Sequence, residues 1–241
     1  MGPYFEALHS AWGPQHWWPA RTPFEVIVGA YLTQNTSWKN VEMALAHLRR
    51  AGLLSLRGIR DVSLTRLEAA IRPAGYFRQK AARLKMFVAF VDQRYHGSLE
   101  RMFGQPTQRL RQELLALNGV GPETADSILL YAGQHPVFVV DAYTRRILER
   151  HGIAAASLPY EEVQSLCESG LAATPHTAPG RSNHPTAHRP SPMSRAQRSP
   201  LAQIYNDMHG LIVNVGKHYC LKSKPQCEQC PLQKFLPRVR A

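Results

Sequence analysis

One aspartate stands where a carboxylate could take part in chemistry. Asp141 follows the apolar stretch HPVFVV and precedes the amphipathic run AYTRRILER, so we expect it to cap a helix. A carboxylate at a helix N-terminus stays ionised, because the positive end of the helix dipole favours a negative charge. Such an anion can stabilise a sugar that gains positive charge while its glycosidic bond breaks. Simple capping is the alternative role, and the two roles are compatible.

A glycine-rich turn lies upstream of this aspartate, in the segment LNGVGPETADSILLYAG at residues 117–133. Its pattern predicts two helices joined at Gly119 and Gly121, with Pro122 in the first turn of the second helix. Glycine lets a backbone turn tightly and approach another molecule closely. N–H groups at the start of the second helix could then bind a phosphate oxygen without reading the base sequence. Taken alone, the segment could also be an ordinary helix-helix turn.

The two motifs together, LNGVGPETA and then VVDAYTRR, resemble the helix-hairpin-helix, Gly/Pro-rich-loop and Asp (HhH-GPD) superfamily of DNA glycosylases, of which endonuclease III is one branch. The resemblance covers about residues 20–168 and resumes at about 201–230. It implies an all-α fold of two helical lobes with a DNA-binding cleft between them. It also implies that Asp141 is the catalytic aspartate. The residues that match the DNA-binding hairpin are Gly119, Val120, Gly121 and Thr124.

The residue at the position of the superfamily's lyase lysine is Glu123. In bifunctional members that lysine attacks the sugar C1′ and forms a Schiff base, which leads to strand cleavage. A carboxylate cannot form a Schiff base. The resemblance therefore implies a monofunctional glycosylase, in which Asp141 stabilises the oxocarbenium-like sugar and helps to orient the attacking water.

Two N-terminal motifs narrow the expected substrate. GPQHWWPA at 13–20 and LTQNTSW at 32–38 resemble the 3-methyladenine glycosylase branch, in which aromatic side chains near these motifs line the base pocket. The matching residues are Trp17, Trp18 and Trp38. A base alkylated on a ring nitrogen is cationic, so an indole face would attract it, and it leaves without a general acid. Packing in the core is the alternative for these tryptophans.

Gln34 and Asn35 match a polar pair that, in relatives, enters the minor groove or fills the gap left by the flipped base. A helix N-cap region is the alternative. The expected function is thus an alkylbase glycosylase that starts base excision repair. Its rivals are an endonuclease III-like enzyme for oxidised pyrimidines, a mismatch thymine or uracil glycosylase, and a non-catalytic DNA-binding module.

Three cysteines near the C-terminus, Cys220, Cys227 and Cys230, have the spacing C-x6-C-x2-C. Endonuclease III relatives add a fourth cysteine and so complete a four-thiolate [4Fe–4S] site, but that position here is Leu236. The remaining cysteine, Cys167, lies far away in the sequence. A cluster could persist with Cys167, a histidine or an exogenous fourth ligand. A zinc site and an empty remnant are the alternatives.

The elements that must position these residues read as almost entirely helical, although the apolar run at 24–32 fits either a helix or a strand. Residues 172–200 are rich in Pro, Arg and His and contain no acidic residue. They cannot bury enough apolar surface to offset their ordering entropy. We expect a flexible insert that interrupts one glycosylase fold formed by 1–171 and 201–241, with the cysteines in a C-terminal segment at 217–241.

The chain has 241 residues, with 29 Lys plus Arg against 17 Asp plus Glu, which gives a formal net charge of +12 at pH 7. This surplus favours a polyanionic partner, and the motifs make that partner double-stranded DNA with a damaged base. No apolar run is long enough to span a bilayer, and the N-terminus lacks the layout of a signal peptide. We expect a cytoplasmic monomer without a membrane partner, associated with the nucleoid when it is bound to DNA.

Overall fold

The computed structural model describes residues 1–174 and 187–237. Within these residues the regular structure is helical throughout, which confirms the prediction of an all-α protein. None of the helices described there is long and apolar enough to cross a membrane. The described part contains these α-helices in chain order: α1 (Gly2–Trp12), α2 (Pro23–Leu32), α3 (Trp38–Arg50), α4 (Leu56–Asp61), α5 (Leu64–Ile71), α6 (Phe77–Tyr95), α7 (Leu99–Phe103), α8 (Thr107–Leu115), α9 (Pro122–Ser127), α10 (Ala142–Arg150), α11 (Tyr160–Leu171) and α12 (Pro200–His218).

The chain forms two compact units. The central unit consists of Ala20–His135, and the terminal unit combines Met1–Pro19 with Pro136–Ala241. The central unit therefore contains α2 to α9, and the terminal unit contains α1 and α10 to α12.

Helix α2 forms the core of the central unit. The apolar run at 24–32 is helical and buried along its whole length, which resolves the choice between helix and strand. Its start is fixed by Thr22, whose hydroxyl accepts a hydrogen bond from Glu25 N at 3.1 Å. At its end, the buried Lys80 Nζ donates to Leu32 O and to Ala74 O, each at 2.8 Å. Burial and the nearby Arg83 lower the pKa of Lys80 to about 8.

Helix α12 forms the core of the terminal unit and is buried along most of its length. It packs against α1, α10 and α11. The contact with α10 is close at Gly216, where an added Cβ would collide with the ring of Tyr143. The absence of a side chain at Gly216 thus lets α10 lie directly against α12.

The expected insert at 172–200 is only partly within the described residues, because 175–186 lie outside them. Residues 187–199 contact the terminal unit: Ser191 Oγ donates to Trp18 O at 3.3 Å, and Met193 is buried. Within this stretch, Arg198 Nη2 donates a hydrogen bond to Met193 O at 2.6 Å. The flexibility expected for 175–186 stays a prediction.

Candidate active site

Asp141 caps helix α10 in the terminal unit, as its position in the sequence predicted. Its Oδ1 accepts hydrogen bonds from Thr144 N at 2.7 Å and from Thr144 Oγ1 at 2.9 Å. Both donors come from the third residue of the helix, so one carboxylate oxygen is fixed in place. Hydrogen bonds that a carboxylate accepts are stronger than those between neutral groups, so Thr144 holds Asp141 firmly at the start of α10.

The second oxygen of the same carboxylate lies beside a histidine. His209 Nε2 of α12 is 3.6 Å from Asp141 Oδ2, and both side chains are almost entirely buried. Burial lowers the pKa of His209, while the negative charge of Asp141 raises it. An ionised carboxylate in such a dry setting interacts more strongly with a developing positive charge than it would in bulk water.

The backbone that leads to Asp141, at 137–140, belongs to neither a helix nor a strand. Side chains of α11 satisfy its polar groups instead. Glu168 Oε1 accepts from Phe138 N at 2.9 Å, and Gln164 Nε2 donates to Phe138 O at 2.6 Å. The hydroxyl of Tyr160 accepts from Val140 N at 3.2 Å. Helix α11 thereby holds the segment whose end places Asp141 at the start of α10.

Trp17 and Trp18, predicted to line the base pocket, are both buried in the terminal unit. The Trp17 ring centroid lies 6.2 Å from that of His209, so Trp17 belongs to the surroundings of Asp141. Trp18 packs edge-on against Trp17 at 5.2 Å. Lys217 Nζ lies 5.8 Å from the centre of the Trp17 ring, so a protein cation already faces this indole.

A cavity of about 170 Å³ opens beside Trp17. Gln15, His188, Asn214 and Lys217 contribute polar groups to its wall. Asn214 Nδ2 donates to Gln15 Oε1 at 2.5 Å, which holds the N-terminal segment against α12. The terminal unit thus places a small cavity with both polar and apolar walls next to one of the predicted pocket tryptophans.

The hairpin of the central unit has the geometry that its glycines predict. Gly119 has a φ of +78°, a left-handed conformation that an L-residue adopts only with strain. Gly121 caps α9 and is exposed, as is Glu123, whereas Val120 and Thr124 are buried. The helices on either side are locked together, because Arg111 of α8 makes a two-point ion pair with the buried Asp126 of α9.

Gln34, one of the predicted lesion-proximal residues, supports this hairpin. Its Nε2 donates to Gly119 O and to Thr124 Oγ1, each at 3.0 Å. Its Oε1 accepts from Arg83 Nη1 of α6 at 3.1 Å. The Arg83 guanidinium also covers Gly119, where an added Cβ would collide with it. Gln34 and Arg83 therefore hold the hairpin in place.

The two other predicted residues of this region, Asn35 and Trp38, differ in exposure. Asn35 is exposed and has a left-handed backbone, with a φ of +53°. Trp38 is half-buried at the first position of α3, which Ser37 caps by accepting from Asn40 N at 3.4 Å. Of these central-unit residues, Asn35 is the one whose side chain is open to solvent.

The three C-terminal cysteines line one cavity of about 20 Å³, together with Leu236. Arg150 Nη1 donates to Cys220 Sγ at 3.2 Å. Burial raises the pKa of the Cys230 thiol, and the other two cysteines raise it further. Cys167 lies on α11 and is not part of this lining. The cavity has room for about one water molecule.

These residues do not supply a four-thiolate set, because the cavity is lined by three cysteines, and Leu236 stands at the sequence position of the fourth. Within 1–174 and 187–237, no group of three or more His, Cys, Asp or Glu side chains is arranged to hold a metal ion.

Comparison with known proteins identifies the family. Residues 28–173 match the model of the HhH-GPD superfamily of base excision DNA repair proteins. The chain belongs to this superfamily. It is 41% identical over 233 residues to a Methanocaldococcus jannaschii protein named "Putative DNA repair glycosylase MJ1434", covering 96% of this chain and 93% of that one. It is 22% identical to endonuclease III of Sulfolobus acidocaldarius, over 89% and 82% of the two chains.

Among solved structures, the chain resembles the 3-methyladenine DNA glycosylase MagIII of H. pylori, bound to 1,N6-ethenoadenine. The TM-score is 0.70 at 29% identity, and the match covers 89% of this chain and 97% of MagIII. An endonuclease III–DNA covalent complex matches with a TM-score of 0.66 at 22% identity, over 90% and 84% of the chains, and shares the fold.

His209, Thr144 and Arg83 are additional residues of these sites that sequence reasoning missed, and it also missed the contact of Lys217 with Trp17. Most of them have partners that lie far away along the chain, as in the contact between Arg83 and Gln34, 49 residues apart. Thr144 is the exception, because a hydroxyl three residues after an N-cap aspartate could have been expected to bond to it.

Proposed function

We propose that this protein is a monofunctional DNA glycosylase that flips an alkylated base, of the 3-methyladenine type, out of double-stranded DNA and hydrolyses its N-glycosidic bond. The observation that carries the proposal is the Asp141 carboxylate, fixed through Oδ1 by Thr144 and buried beside His209. The likeness to MagIII, whose name gives 3-methyladenine as its substrate, supports the substrate class.

In this reaction Asp141 acts as an anion opposite the sugar. As the bond between C1′ and the base nitrogen lengthens, positive charge grows on the sugar ring and Oδ2 stabilises it. The electron pair of the broken bond leaves with the base. A water molecule then adds to C1′ and gives up its proton to the solvent. A base alkylated on a ring nitrogen carries a positive charge before cleavage, so it leaves as a neutral molecule and needs no general acid.

The test is single-turnover base release from duplexes that carry 3-methyladenine, thymine glycol or a G·T mismatch. We expect release of 3-methyladenine with the strand left intact. Asp141→Asn still caps α10 but has no charge, so it should lower the rate by about 10²- to 10³-fold, as removal of a single transition-state contact does. Release of thymine glycol with strand nicking would favour an endonuclease III-like enzyme. No release from any duplex would favour a DNA-binding module.

The monofunctional part of the proposal has its own test at Glu123, which is exposed in the first turn of α9. Glu123→Lys introduces an amine that can form a Schiff base with the sugar C1′. We expect borohydride to trap a covalent protein–DNA complex with this variant and not with the wild type. Trapping of the wild-type protein would show that another amine performs the lyase step.

We further propose that the three-cysteine segment retains the spacing of a cluster site without binding a four-iron cluster, because Leu236 stands where a fourth thiolate would be needed and lines the same cavity as the three cysteines. Iron and acid-labile sulfide should be far below four per chain in protein purified without oxygen. Leu236→Cys supplies the missing thiolate and should raise both. About four irons in the wild type would show that another ligand completes the site.

A further inference from the structure

The proposed mechanism gives no role to the histidine beside Asp141. His209 lies on α12, is buried, and places Nε2 3.6 Å from Asp141 Oδ2. Two aromatic rings lie near the imidazole, with ring centroids of Trp17 at 6.2 Å and of Phe138 at 6.4 Å. Packing of this kind restricts the motion of the imidazole beside the carboxylate.

The two carboxylate oxygens of Asp141 have different contacts. Oδ1 accepts both hydrogen bonds from Thr144, at 2.7 and 2.9 Å. Oδ2 is 3.6 Å from His209, which is longer than a hydrogen bond. Oδ2 thus keeps lone pairs that can face a sugar or a water molecule, while the imidazole limits rotation of the carboxylate.

We propose that His209 is a positioning residue for Asp141, which holds Oδ2 toward the reacting sugar and leaves its negative charge uncompensated as long as the imidazole is neutral. This inference rests on the proposed glycosylase function. It makes His209 a residue that acts through Asp141 rather than on the substrate.

The neutral form follows from the surroundings of the ring. Burial lowers the pKa of His209, and Asp141 at the start of α10 is the charged group that raises it. Tyr205, one turn earlier on α12, contacts the same Phe138 ring, and the indole of Trp17 is uncharged. When the pH falls far enough to protonate His209, the imidazolium pairs with Oδ2 and cancels the charge that the sugar requires. Activity should therefore be lost on the acid side as His209 becomes charged.

The test compares His209→Leu with His209→Gln, whose side-chain amide can place an N–H near the position of Nε2. For the lesion that the wild type releases, we expect His209→Leu to lower the single-turnover rate at saturating enzyme by about tenfold to a hundredfold, because misplacing a reacting group by about 1 Å can have an effect of about 10²-fold. DNA affinity should not change. In His209→Leu the acid limb of the pH–rate profile should move to lower pH. His209→Gln should retain most of the wild-type rate at neutral pH.

A readout that needs no activity separates this inference from the proposed function. The imidazole of His209 can be titrated by NMR in the wild type and in Asp141→Asn, with His9→Gln, a histidine on α1, as the control. We expect loss of the Asp141 charge to lower the pKa of His209, and His9→Gln to leave it unchanged. The inference is overturned if that pKa is the same in both proteins, or if His209→Leu retains the wild-type rate and acid limb. A protein with the NMR coupling but no base release would refute the glycosylase proposal alone.

Discussion

The hairpin of the central unit and the carboxylate site of the terminal unit are built from the same local part, a turn that enters the first residues of a helix. Each has a threonine at the third helical position, Thr124 in α9 and Thr144 in α10. Thr144 donates to the buried Asp141, whereas Thr124 accepts from Gln34 beside an exposed turn. The same geometry can serve phosphate anchoring where water has access, and charge stabilisation where water is excluded.

The largest effect that would test this comparison is expected at Thr144. Thr144→Val keeps the shape of the buried side chain and the backbone N–H bond but removes the hydroxyl donor to Asp141 Oδ1. A hydrogen bond to a charged group contributes about 1.5–3 kcal/mol. If most of this energy stabilises the transition state, the single-turnover rate should fall by about 10- to 100-fold. Affinity for DNA should be unchanged, as measured by a binding titration with undamaged duplex.

The matched variant is Thr124→Val, the same change at the same helical position of the hairpin. It removes the acceptor for Gln34 Nε2, so it should weaken binding and leave the rate at saturating enzyme unchanged. A lower rate in Thr124→Val, with unchanged affinity, would mean that the two helix starts do not divide anchoring and chemistry.

The second effect concerns Gly119. Gly119→Ala places a side chain at a φ of +78° and against the Arg83 guanidinium. An L-residue in the left-handed region costs roughly 1–2 kcal/mol, so the free energy of unfolding should fall by about that amount. A displaced hairpin should also weaken binding by about tenfold, equally for damaged and undamaged duplex, because phosphate contacts do not read the base.

The control is Gly121→Ala, two residues away. Gly121 has a φ of −94° and open space around an added Cβ, so thermal unfolding should show no loss of stability. If Gly119→Ala is as stable as Gly121→Ala and binds DNA like the wild type, the strained turn has no part in anchoring.

The features that the sequence predicted are those set by local pattern. Asp141 was expected to cap a helix and caps α10, because capping depends on a few neighbouring residues. The run at 24–32 was ambiguous, because a segment that is buried on all sides has no periodic polar face to distinguish helix from strand.

The features that escaped prediction depend on contacts between distant segments. Arg83 meets Gln34, 49 residues away, and His209 meets Asp141 across the packing of α10 on α12. The environment of Trp17 is the clearest case, since a tryptophan near the N-terminus gains a cation from Lys217 near the C-terminus. Composition and spacing carry no signal for such a pair.

The smallest effect is expected at Lys217 and would sharpen the substrate class. The indole of Trp17 was expected to attract a cationic base, but Lys217 already faces that ring at 5.8 Å and would repel one. Lys217→Gln should therefore raise release of the cationic 3-methyladenine relative to the neutral 1,N6-ethenoadenine. A cation–π contact contributes about 0.5–1 kcal/mol, so the ratio of the two single-turnover rates should rise about two- to fivefold.

Lys222→Gln removes the same charge at an exposed position and controls for general weakening of DNA binding. An equal ratio in both variants would mean that Lys217 does not discriminate between bases. A selective gain in Lys217→Gln would instead place the lesion at Trp17. It would also show that Lys217, which is not part of the motif that suggested the pocket, limits which alkylated bases the pocket accepts.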